Sequence, residues 1–199
     1  SAASDVYKRQ VLGVFGLLCR ELADYCEAKY SLLTQHTDPE KALPPLLVRQ
    51  QKAVDLITQC YQQMHMLSAQ NNTDYKRMLR IFQEALDLQE HISVSLHQPE
   101  EVQKLVERSH AEEVIRWNAQ TVAARLRVLA DDILYHRLPT RFTMEKQIGA
   151  LEKIARQHPD NPVGQFCYWH FSRIARVLRT QKPLYDLSLI HISEPTRPS

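Results

Sequence analysis

The sequence predicts an all-α fold, an antiparallel bundle of about six to seven helices, and three observations carry that expectation. The first is the stretch Ser109 to Arg137, SHAEEVIRWNAQTVAARLRVLADDILYHR, which holds no Gly or Pro. Its apolar side chains Ile115, Ala119, Val122, Leu126, Leu129, Ala130 and Ile133 recur three and four apart, which places them on one stripe of a helix that must be buried. The second is composition: 199 residues contain only 4 Gly and are rich in Leu, Ala, Gln, Glu and Arg, the strong helix formers. The third is that no window alternates apolar and polar residues long enough to argue a strand. A chain of this length buries roughly 70% of the surface its unfolded form exposes, so one domain with a real core is expected.

In order along the chain, residues 1–10 (SAASDVYKRQ) and 187–199 (LSLIHISEPTRPS) fit no periodic pattern and read as non-native ends, resembling translated adapter sequence. The domain is therefore expected over residues 11–186. A first helix is expected from Val11 to Gln35, with Leu18, Leu22, Tyr25, Cys26, Lys29 and Leu33 along one side. Pro39, Pro44 and Pro45 predict a break, and a second helix from Pro45 with a core face of Leu47, Val54, Ile57, Tyr61 and Met64. QNNTD at 70–74 is a turn, followed by a third helix to about His97 whose stripe is Met78, Ile81, Phe82, Ala85, Leu88 and Ile92. Arg80 with Glu84 reads as a pair on its other face.

Pro99, Glu100 and Glu101 open the next helix, with proline in the first turn and acids at the positive end of the dipole. Its stripe, Val102, Leu105, Val106 and Ser109, points away from that of the long helix, so a kink or break is expected near Ser109. Ser109 to Glu112 has the form of a capping box. LPTRFT at 138–143 ends the long helix, and Thr143 is expected to cap a short helix that packs through Met144, Ile148, Leu151 and Ile154. A last helix from Val163 to Thr180 buries Cys167, Phe171, Ile174 and Leu178.

The net charge of +2 makes no argument for a nucleic-acid or membrane partner by itself, but its distribution is uneven. Residues 137–182 hold nine basic side chains against three acidic ones (145, 152, 160). The four cysteines form no CxxC pair, which suits reduced thiols and neither a disulfide framework nor a zinc site. The longest run free of Asp, Glu, Lys, Arg and His, Gln10 to Cys19, is about half the length needed to span a bilayer. It is either the tail of a spanning helix or a buried helix start.

Chemistry is sparse. Asp131, Asp132 and His136 are the nearest approach to a metal or acid-base constellation, but no third ligand is in view, and Arg127 four residues before Asp131 reads as its ion-pair partner. No nucleophile motif or phosphate-cradling Gly-rich loop is present, since Gly149 and Gly164 stand alone. No enzymatic activity, cofactor or metal is expected. Arg173, Arg176, Arg179 and Lys182 form a basic strip with Trp169 four residues before Arg173. The strip is either a phosphate-facing surface, for lipid headgroups or RNA, or a solvated face opposite the apolar one.

Three stretches, ELADYCEAKYSLL (21–33), LPPLLVRQQKAVDLITQCYQQMHML (43–67) and RWNAQTVAARLRVLADDILYHRLPTRF (116–142), closely resemble the bacterial YccS inner-membrane proteins of the fusaric-acid-resistance-like group. The resemblance runs from Glu21 to Leu184. It implies a soluble helical region on the cytoplasmic side of an efflux-type inner-membrane transporter, between two blocks of spanning helices, serving assembly or gating. In that setting the basic strip would meet an anionic membrane surface, with self-association as a further option. No nucleic-acid partner is expected, and no small-molecule ligand is identifiable. The alternatives are a self-contained helical adaptor for a protein partner and, more weakly, an RNA-binding module.

Overall fold

The computed structural model describes residues 2–35, 37–67, 72–92 and 98–179, and these form seven helices with no strand among them. They are α1 (Ala2–Thr34), α2 (Pro39–Leu67), α3 (Asn72–Ile92), α4 (Pro99–Arg108), α5 (Glu112–Leu134), α6 (Glu145–Gln157) and α7 (Pro162–Arg179).

α5 is the helix of the long apolar stretch, and every member of its stripe is buried. It packs antiparallel to α1. Going up α1, Gly16 faces Leu134 and Ala130, Arg20 meets Asp131, Glu27 meets Arg127, and the Cys26 thiol donates to the Ala119 carbonyl. α2 covers another side of α1, and α6 and α7 form a second antiparallel pair closed against α3, α4 and α5. At the turn between α6 and α7, Gly164 lies so close to α6 that a Cβ there would sit 2.9 Å from the Ala155 Cα. A side chain at this position would have to push the two backbones apart.

Several local expectations change. α1 begins at Ala2 rather than near Val11, and Lys8 is already buried in it. α2 starts at Pro39, with Pro44 and Pro45 inside it. Both prolines are exposed, as are Glu40 and Lys41, whose carbonyls lose their helical donors at a place on the surface where water can replace them. The inward face of α2 is Leu46, Ala53, Ile57, Cys60 and Met64: Ile57 and Met64 are buried as expected, but Leu46, Ala53 and Cys60 take the places expected for Leu47, Val54 and Tyr61. Leu47, Val54 and Tyr61 are 54%, 38% and 53% exposed. Two apolar stripes run side by side on α2, and the one holding the small Ala53 and Cys60, which admits a close neighbour, turns in.

α3 ends at Ile92, and the expected continuation to His97 lies outside the described residues. Of its stripe, Phe82, Leu88 and Ile92 are buried, while the side chains of Met78, Ile81 and Ala85 are outside the description. Glu84 forms no bond to Arg80; one carboxylate oxygen is buried without a partner, and burial, then the neighbouring Asp87, pushes its pKa up to about 7.

The break near Ser109 is present, but its chemistry is a stop signal rather than a start signal. The Ser109 hydroxyl turns back onto the Leu105 and Val106 carbonyls, and no side chain caps α5. His110 adopts a left-handed φ of 53°, its N–H donates to Glu107 and the Ala111 N–H donates to Val106, which is a Schellman ending. α5 ends the same way. His136 has φ 53°, with His136 N–H to Ile133 and Arg137 N–H to Asp132. Histidine tolerates the left-handed region better than most residues, and here it stands where glycine is usual. Thr143 is exposed and caps nothing, since Met144 occupies the N-cap of α6 without a side-chain bond.

Candidate membrane-facing surface

The strip read from the sequence lies on α7. Arg173, Arg176 and Arg179 are exposed on the side opposite Cys167, Phe171, Ile174 and Leu178, all of which are buried. Lys182 lies outside the described residues. The arginines are not equivalent. The Arg173 guanidinium stacks on the Trp169 ring at 3.8 Å, the cation-π pair expected from their spacing. Arg176 and Arg179 instead line a groove of about 330 Å³ between α6 and α7, together with Glu145, Glu152, Ser172 and Thr143. Glu152 is also held by Arg156 at 2.6 Å.

Exposed aromatics extend this surface. Phe166 and Trp169 are each 47% exposed and share the outward face of α7 with Arg173 and Arg176. Phe166 also lies flat on His170 at 5.6 Å between centroids. The signal for Phe166 was present in the sequence, because it falls seven residues before Arg173 and off the apolar stripe. Aromatic rings beside arginines form the residue mix found where a protein meets a membrane interface.

Beneath this face sits a buried polar cluster. His170 is fully buried, with both ring nitrogens unpartnered, and burial, then the charges of Lys29 and His91, pull its pKa down to about 3. The Lys29 ammonium donates to the Ile92 carbonyl at 2.7 Å, fixing the last turn of α3 to α1, and burial lowers its pKa to about 8. Burial likewise pushes Cys19, Cys26 and Cys167 up to about 12, so these thiols stay protonated at neutral pH.

Asp131 is bound by Arg20 at 3.1 Å and not by Arg127. Arg127 reaches across to α1, where it grips Glu27 at 2.7 and 3.0 Å and Asp24 at 3.0 Å. An i, i+4 neighbour loses here to a bidentate carboxylate on the facing helix. Asp132 is buried with Arg137 3.8 Å away, and His136 serves the ending of α5, so the three residues do not converge on one point.

A family model described as "FUSC-like inner membrane protein yccS" matches residues 8–189. The chain belongs to the FUSC-like family. It is 97% identical over 174 residues to an Escherichia coli (strain K12) protein named "Uncharacterized protein YhfK". That match takes in 87% of this chain and 25% of the relative, so the chain spans a quarter of the length of the curated relative it matches. No solved structure matches it. Among the described residues, no helix is long and apolar enough to cross a membrane.

Proposed function

We propose that this chain is the cytoplasmic helical region of a FUSC-like inner-membrane transporter of efflux type. It has no catalytic role and contributes to assembly or gating by holding its α7 face against anionic headgroups. The observation that carries this reading is the outward run Phe166, Trp169, Arg173, Arg176 and Arg179 in a member of an inner-membrane family. Each basic side chain near an anionic surface contributes at most about 1 kcal/mol, so the attraction is additive, weak and screened by salt.

The chain is expected to sediment with anionic vesicles at low salt. It should release by about 0.5 M salt, where the Debye length falls to roughly 4 Å. Changing Arg173, Arg176, Arg179 and Lys182 together to Gln should abolish sedimentation while leaving the helical circular dichroism intact, since the described three lie off the buried face. Equal sedimentation of the Gln variant, or tighter binding to RNA than to vesicles, would contradict the reading.

A second reading, an adaptor for a protein partner or a second copy, draws on α2. Its outer flank exposes Leu47, Val48, Val54, Tyr61 and Met66, more apolar surface than one helix usually leaves uncovered.

A further inference from the structure

The groove between α6 and α7 presents both signs of charge around an apolar floor. Phe142, Met144, Ile148 and Ala175 form the floor, Arg176 and Arg179 stand about one turn apart on the α7 wall, and Glu145 stands on the α6 wall. Glu145 and Arg179 form no ion pair among the described residues, with each other or with any other group, although both line this one space. Opposite charges that share a groove without reaching one another leave room for a molecule that carries both. Thr143, Met144 and Glu145 also bring the first turn of α6 to the groove, and no side chain caps that turn, so its leading backbone amides have no acceptor within the helix or from a cap.

We propose that the groove binds the phosphoethanolamine headgroup of a membrane lipid, with the phosphodiester on Arg179, Arg176 and the first amides of α6, and the ammonium on Glu145. A guanidinium fork and an uncapped helix N-terminus are both phosphate donors. A phosphodiester carries one negative charge, and Glu145 opposes the second charge of a free phosphate. An ammonium offers three N–H donors to the Glu145 carboxylate, whereas the trimethylammonium of a choline headgroup offers none. The volume of about 330 Å³ falls at the lower end of the roughly 300 to 1,000 Å³ of small-molecule sites, and the apolar floor suits the glycerol and the first methylenes behind the headgroup. This inference deepens the membrane-facing reading and rests on it for the bilayer: Phe166, Trp169 and Arg173 meet the surface, and the groove beside them selects the headgroup.

Ligand-observed NMR titration of the whole chain with glycerophosphoethanolamine, glycerophosphocholine and inorganic phosphate tests the chemistry of the groove. Glycerophosphoethanolamine should bind saturably and about 3- to 10-fold more tightly than either of the others. Arg179→Gln should weaken it by a similar factor, and Glu145→Gln should erase the preference for ethanolamine over choline. Glu113→Gln, an equal charge change on the exposed side of α5, should keep that preference. In a second arm, vesicles of phosphatidylethanolamine and phosphatidylglycerol should bind the chain more tightly than vesicles in which phosphatidylcholine replaces the ethanolamine lipid at the same anionic fraction. The proposal is overturned if glycerophosphoethanolamine does not bind, if choline or inorganic phosphate binds as tightly, or if Glu145→Gln keeps the preference. Vesicle binding without any headgroup preference would overturn the groove and leave the membrane-facing reading standing, whereas headgroup binding with no binding to either vesicle would overturn that reading and the lipid as the source.

Discussion

Leu126→Ala is expected to cost about 2 to 5 kcal/mol of folding stability, because it removes a fully buried side chain from the middle of the α5 stripe and leaves a cavity on the α1 seam. The comparison that gives this figure meaning is Val128→Ala on the same helix. Val128 is 43% exposed and should cost under about 1 kcal/mol. In a denaturant titration the Leu126 variant should lower the midpoint at an unchanged slope. Similar losses at both positions would mean that α5 buries a different face.

His170 should make the fold acid-sensitive. Its folded pKa of about 3 lies below the ordinary value of 6.5, so between those limits the unfolded chain binds a proton that the native chain refuses. Stability from this group is fully present above pH 6.5 and is lost as pH falls toward 3. Each pH unit inside that window costs at most about 1.4 kcal/mol, so roughly 2 to 3 kcal/mol should be gone by pH 4.5. His170→Phe keeps a ring against Phe166 and removes two unpartnered nitrogens. The variant should be at least as stable as the parent at pH 7 and should lose less stability on acidification to pH 4.5. Parallel stability curves for the two proteins over that range would rule out His170 as the source.

What could be read from the sequence divides by the kind of interaction involved. The α5 stripe, the break before it and the buried face of α7 were all legible, because burial imprints a 3.6-residue period on any helix that has one apolar side. The inward face of α2 was legible only in part: Ile57 and Met64 are buried as expected, but two apolar stripes lie side by side, and the small side chains Ala53 and Cys60 turn in rather than Val54 and Tyr61. Proline was over-read: Pro44 and Pro45 sit in the early turns of α2, where exposed carbonyls can turn to water. Ser109 and Thr143 have the chemistry of caps, but His110 in a left-handed conformation ends α4 first, and Met144 takes the N-cap of α6. Ion-pair partners were the least legible. Asp131 and Arg127 are neighbours in sequence, yet each is claimed by a partner on α1 more than a hundred residues away or close to it.

The arginine strip was legible as a spacing of three, and its division was not. One arginine lies on Trp169 while two line the groove toward α6, an outcome set by which helix packs alongside α7.

The claim that this region lies on the cytoplasmic side of the inner membrane is tested most directly in the full-length Escherichia coli relative, with a protease site inserted in the exposed loop 138–143. The account predicts cleavage by added protease in inside-out inner-membrane vesicles and protection in intact spheroplasts. Cleavage in spheroplasts with protection in inside-out vesicles would contradict it.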